Sequence, residues 1–215
     1  MSKKDIILFI GASSSGKDYL VSKCIEQFGW RKAVSFSSRP KRPNEIEGFD
    51  YFFRSYNEIQ RMIDEGETYE HTEYVTNMGT WLYAFGVDSF SDTEINLCIV
   101  NPKGAFELLQ TELQDRIAMA YVLADDKTRF NRYNERLGGI ENMTLEQKAE
   151  GYDRLDRDYR DFKEFSEWLD KNEYISEREI PVCYLSNDVN KGLGNLDYGL
   201  RILLNFVNEV SNGEE

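Results

Sequence analysis

Residues 6–20 read IILFIGASSSGKDYL, and the reading of this stretch decides the fold. Asp5 to Ile10 is a short apolar segment, the pattern of a buried strand. Gly11 to Asp18 then reads GASSSGKD, and a helical pattern runs from about Gly16 to Phe28. Strand, glycine-bounded turn and helix, in that order, form the setting in which a backbone can hold phosphate. Glycine at each end of the turn allows angles that a Cβ resists. Successive N–H groups then point inward as a nest, and the helix adds its unsatisfied donors and positive dipole end. Lys17 can reach the outer phosphates as a point charge. The candidate nucleotide contacts are Gly11, Ser13, Ser14, Ser15, Gly16, Lys17, Asp18 and Tyr19. Such loops usually end in Ser or Thr, whose hydroxyl ligates Mg²⁺. Asp18 stands there instead. A carboxylate is also a hard oxygen ligand, so Asp18 is the candidate metal residue. Its charge should weaken nucleotide binding unless the metal is present.

Outward from the loop, strand and helix patterns alternate. Ala33–Phe36, Asp50–Phe53, Tyr69–Val75 and Trp81–Val87 read as strands, with a helix at Asn57–Glu65. Ile95–Val100 (INLCIV) and Ile117–Leu123 are continuous apolar runs, as strands covered on both faces are. Pro102 opens a helix to about Leu113, Asp125–Leu137 is a charged helix, Ile180–Leu185 a last strand and Leu193–Val210 a last amphipathic helix. Leu145–Asn172 is dense in charge and reads mainly as a solvated helix. The expected fold is α/β: a P-loop NTPase-type, largely parallel sheet flanked by helices, with an inserted small β-rich nucleotide-binding lobe and a helical lid. A single domain is expected, with core 1–32, 93–126 and 170–215, lobe about 33–92 and lid about 127–169.

The 215 residues are 40% apolar and carry 26 Lys+Arg against 39 Asp+Glu, a formal net charge of −13. That balance argues against a nucleic-acid coat or an anionic-membrane binder, both of which need a broad basic surface. No apolar run approaches the ~20 residues of a membrane helix, and the first residues lack a signal-peptide pattern. The expected location is cytoplasmic. Cys24, Cys98 and Cys183 are widely spaced and read as buried thiols rather than zinc ligands. With His71 the only histidine, a Ser-His-Asp or Cys-His mechanism has little to build on.

In this acidic chain Ser35–Tyr51 (SFSSRPKRPNEIEGFDY) places Arg39 and Arg42 three apart around a proline. Such a pair suits bidentate capture of a phosphate, and Tyr51 adds a phenolic donor. Glu70 and Glu73 fall on opposite faces of a strand, so they form no catalytic carboxylate pair. Glu70, with Ser35, can read the edge of a base.

The order of these motifs, with Tyr69-Glu70-His71 on the next strand, resembles the guanylate kinases. The resemblance runs from about Ile6 to Asp188 and is strongest over Gly11–Tyr83. It implies ATP as phosphoryl donor with Mg²⁺, and a nucleoside monophosphate as acceptor, GMP or dGMP, giving the diphosphate and ADP. It implies that Ser35 and Glu70 contact guanine, and that Arg39, Arg42, Tyr51 and Tyr83 hold the monophosphate. Arg132 and Arg136 match lid arginines, Arg154 or Arg157 supplies the last one, and Asn187-Asp188 resembles an adenine-side turn. Lys17, Arg42, Arg132, Arg136 and Arg154 are thus the catalytic candidates, and the expected assembly is a monomer or homodimer. Two departures bear on base selectivity. Asn101 replaces a family aspartate, and Tyr83-Ala84-Phe85 puts a phenyl ring where the family has a hydroxyl. A kinase for another (deoxy)nucleotide or small phosphorylated acceptor, and a non-catalytic binding module, remain the alternatives.

Overall fold

In the computed structural model, which describes residues 3–76, 79–172, 180–187 and 196–212, the apolar run Ile6–Ile10 is β1, buried along its whole length. It pairs in parallel with β7 (Asn96–Ile99) on one side and β8 (Ile117–Leu123) on the other. β2 (Arg31–Lys32) and β9 (Val182–Ser186) close the edges, giving the order β2-β7-β1-β8-β9. All these pairings are parallel, so each connection must cross over a face of the sheet. The helices that result cover both faces. Ile7 and Phe9 pack with Leu20, Val21 and Cys24 of α1 (Lys17–Phe28) and Leu200, Leu203 and Val207 of α6 (Leu196–Asn212). Ile6, Leu8 and Ile10 face Ala105 and Leu108 of α3 (Pro102–Leu108) and Phe165 and Leu169 of α5 (Leu145–Asn172). The three cysteines are buried and free. No helix among the described residues is long and apolar enough to cross a membrane.

A second, mixed sheet stands beside the first, in the order β4-β3-β6-β5. Its strands are β3 (Phe36–Ser37), β4 (Phe52–Phe53), β5 (Thr68–Thr76) and β6 (Gly79–Gly86). α2 (Tyr56–Asp64), started by a Ser55–Glu58 capping box, buries Ile59 against Leu82 and Ala84 of β6. Along β5, Glu70 and Thr72 are buried while Glu73 and Val75 are exposed, the two-residue alternation expected of a half-covered strand.

The sequence reading needs two corrections. The strand expected at Ala33–Phe36 is divided between the sheets. The Ala33 N–H still bonds Leu97 O of β7 at 2.9 Å, whereas Phe36 pairs with Ala84 of β6. Residues 33–35 are therefore the passage from one sheet to the other. The return passage, 87–95, is fastened to it. Arg31 Nη1 donates to Ser89 O at 2.6 Å and to Asn96 Oδ1 at 3.0 Å, and Ser89 Oγ donates to Val34 O at 3.3 Å. The helix expected to reach Leu113 stops at Leu108, because Thr111 Oγ1 donates back to Leu108 O at 2.7 Å and caps a new short 3₁₀ turn, Glu112–Arg116. The charged stretch is one helix, α5, over the span expected for it. α4 (Asp126–Arg136) matches its expected span, with Asp125 as N-cap. Asp188 and the start of the segment expected to form the last helix lie outside the described residues.

Candidate active site

The turn between β1 and α1 wraps tightly. Gly16 takes the left-handed conformation (φ +97°), and a Cβ there would meet Asn187 Nδ2 at 2.2 Å. At Gly11 a Cβ would lie 2.4 Å from Val122 O. Both glycines are thus required by packing, and Gly16 by its backbone angle as well. Ser15 Oγ is buried and unpartnered among the described residues, an orphan that a ligand in the turn would satisfy. Lys17 Nζ donates to Gly11 O at 2.5 Å and Ala12 O at 3.1 Å. Desolvation pulls its pKa down to about 8, against the pull of the Asp18 and Asp158 carboxylates. Asp18 is exposed in the first turn of α1. Tyr19 is 52% exposed with Lys23 over its ring, and its side chain lies on the outer surface.

Arg132 of α4 braces the outside of the turn. Its guanidinium donates to Ser14 O (3.3 Å), Ser15 O (3.0 Å) and Asn187 O (2.8 Å), and Asn187 Nδ2 donates to Ser15 O at 2.7 Å. Arg136 lies one turn on, beside the Tyr133 ring. Partial desolvation, then the guanidiniums of Arg154 and Arg42, lower its affinity for its proton. The fields of Arg42, Arg136 and Arg154 therefore meet, although the three come from the small lobe, α4 and α5. Arg154 also acts on Lys17. Arg157 instead lies over the Tyr74 ring at 5.7 Å. The sequence reading missed Arg129. It is buried, donating Nε to Ser13 O at 2.9 Å and Nη2 to Asp158 Oδ2 at 2.5 Å.

On the small sheet, Arg39 is buried and forks onto Glu45 (2.7 and 2.5 Å), with its guanidinium 4.9 Å from the Tyr51 ring centre. Arg42 is exposed and donates its backbone N–H to the same carboxylate at 2.8 Å. Tyr51 meets Tyr83 edge-on at 5.8 Å, and Tyr83 meets Tyr74 at 5.6 Å. Ser35 is held through its carbonyl, which accepts the Phe52 N–H at 2.9 Å. Asn101 caps α3, accepting from Gly104 N at 2.6 Å, and donates to Thr72 Oγ1 (3.4 Å) and to the Tyr74 hydroxyl. Glu70 is buried, and burial, reinforced by the neighbouring Glu107, pushes its pKa up to about 8 against Lys103 and the Phe85 N–H. The Phe85 ring belongs to the core, packed on Phe90.

A family model described as guanylate kinase matches residues 2–176. The chain belongs to the guanylate kinase family. Guanylate kinases of Streptococcus pyogenes serotypes M3, M18 and M12 are each 33% identical over 129 residues, which covers 52% of this chain and 61% of the relative. The chain thus spans about three fifths of the length of these curated relatives. The crystal structure of guanylate kinase from Anaplasma phagocytophilum aligns with a TM-score of 0.61 at 18% identity, covering 98% of this chain and 91% of that one. That likeness establishes a P-loop NTPase-type α/β fold. Within the guanylate kinase family frame, Arg129 and Asp158 are notable because no motif of the sequence reading included either residue.

Proposed function

We propose that this chain transfers the terminal phosphoryl group of ATP to a nucleoside monophosphate, GMP or dGMP, releasing ADP and the diphosphate. The observation that carries this reading is turn 11–18, where the buried Ser15 Oγ has no partner among the described residues and Lys17 Nζ lies over the Gly11 and Ala12 carbonyls. Arg42 and Arg154 act electrostatically on Arg136, and like charges without an anion repel, so a phosphoryl group in flight between two nucleotides would relieve them. Turn 11–18 takes the donor's phosphates, with Lys17 on the outer ones. Arg39, Arg42, Tyr51 and Tyr83 take the acceptor's phosphate, and Glu70 reads its base. No covalent intermediate is needed, since positioning and positive charge suffice for a loose transition state. Mg²⁺ fits the donor chemistry of this site, since it takes one or two carboxylates together with phosphates and water, and the Asp18 carboxylate is exposed in the first turn of α1. Asp18 would hold it, and when bound the ion neutralises charge between the outer phosphates.

The test is ADP release, coupled to a spectroscopic readout, against the ribo- and deoxynucleoside monophosphates. GMP- or dGMP-dependent release is expected, and ATP hydrolysis indifferent to any acceptor would sink the proposal. A wider acceptor range is favoured by Asn101 being spent on Gly104 and Tyr74 and by Phe85 being spent on the core.

Two pH effects follow. Guanine offers donors to a carboxylate, so GMP must find Glu70 ionised. With the folded pKa near 8, the GMP KM should fall as pH rises from 6 to 8. Glu70→Gln should abolish that trend and cut the GMP-over-AMP preference by about 10–100-fold; an unchanged ratio removes Glu70 from base recognition. Lys17 runs the other way. Its neutral form binds phosphate poorly, so the ATP KM should climb above about pH 8.

A further inference from the structure

The lid helix α5 already touches turn 11–18. The Asp158 carboxylate accepts from Ser13 N–H at 2.8 Å and from Ser13 Oγ at 3.2 Å. Arg129 completes the cluster, with Nε on Ser13 O at 2.9 Å, Nη2 on Asp158 and Nη1 on Asp126 at 3.0 Å. The Arg129 and Asp158 side chains are only 10% and 14% exposed. The Asp158 charge also favours the protonated form of Lys17. One oxygen-bearing anion is therefore served by a turn amide, a serine hydroxyl and a guanidinium, and it acts on the turn lysine. That is the donor set a phosphate calls for.

We propose that Asp158 stands in for the donor's terminal phosphate, and that Arg129 is a further phosphate-binding arginine which Asp158 holds until that phosphate arrives. The inference rests on the reading of turn 11–18 as the ATP site. Two anions repel each other at one amide, so the carboxylate must leave when the phosphate enters. It has somewhere to go. A cavity of about 310 Å³ opens beside the pair, lined by Ala12, Asp126, Arg129, Asp158 and Lys163 among others, and Lys163 offers an opposite charge. Arg129 keeps its hold on Ser13 O and turns its freed nitrogen to the phosphate. Arg154 lies one helical turn before Asp158 on α5, so the exchange at Ser13 is passed along that helix to the arginine that acts on Lys17 and Arg136.

The test is calorimetric titration of the full chain with ATP, ADP and inorganic tripolyphosphate. ADP lacks the competing phosphate and serves as the internal control. Asp158→Asn removes the charge but keeps an acceptor for Ser13. It should tighten ATP and tripolyphosphate roughly tenfold and leave ADP unchanged. Arg129→Lys should lower the ATP-to-ADP affinity ratio by a similar factor. An Asp158→Asn ratio equal to that of the unmodified chain, or a lower one, overturns the proposal alone. Binding of neither ATP nor ADP by the unmodified chain overturns the donor-site reading with it. Should either variant misfold, carbodiimide labelling of the unmodified chain decides. Tripolyphosphate should expose Asp158 to the reagent, and unchanged or reduced labelling overturns the exchange.

Discussion

Lys17→Ala should lower turnover by about 10²–10³-fold or more, the usual loss when one preorganised charge at a developing anion is removed. Its Nζ is held over the turn by Gly11 O and Ala12 O, at the position from which it can follow phosphate charge. The fold should survive. Lys17 carries a folded pKa near 8 against 10.5 in the unfolded chain, so below pH 8 the folded state bears the full penalty of its charge. Between about pH 8 and 10.5 the unfolded chain binds more protons, so stability rises with pH and the penalty fades. The alanine variant should therefore match or slightly exceed the parent in melting temperature at pH 7, and that difference should shrink toward pH 10. Unchanged ADP release by this variant would remove Lys17 from the mechanism.

Arg39→Ala is expected to have two separable effects. The acceptor KM should rise by about 10²-fold while the ATP KM barely moves, because a forked guanidinium beside Tyr51 is lost from one site only. Stability should fall as well, by about 2–4 kcal/mol, since Glu45 keeps a largely buried charge without its principal partner. Burial alone would push the Glu45 carboxyl up, yet the Arg39 fork and the Arg42 N–H hold it below its ordinary value. Its stabilisation is thus present above the unfolded carboxylate pKa of 4.5 and drains away as pH falls below it. Adding Glu45→Gln to Arg39→Ala should restore much of the lost stability and none of the acceptor affinity. Recovery of both in thermal melts and kinetics would mean that Arg39 is structural.

The parts legible in the sequence are those whose cause is local. IILFI followed by GASSSGKD specifies a strand, a left-handed Gly16 and a helix start within 20 residues, and each is found there. The β5 alternation that separates Glu70 from Glu73 follows from strand geometry alone. What was not legible depends on distant partners. Ala33 and Phe36 have the same β character, but Leu97 claims one and Ala84 the other. Arg129 read as one more charge on a charged helix, because its partners Ser13 and Asp158 lie 116 and 29 residues away. Phe85 read as a missing hydroxyl, whereas Phe90 and the sheet behind it explain the ring.

The double passage between the sheets at 33–35 and 87–95, pinned by Arg31 and Ser89, gives the molecule a cassette-like construction. The residues proposed to choose the acceptor, apart from Ser35 and Asn101, are threaded between those two pinned joints, and those proposed to grip the donor lie outside them. On the proposed reading, replacing 36–86 with a differently shaped insert would re-address the transfer and leave the donor side intact, provided the insert returns a cation that acts on Arg136 as Arg42 does.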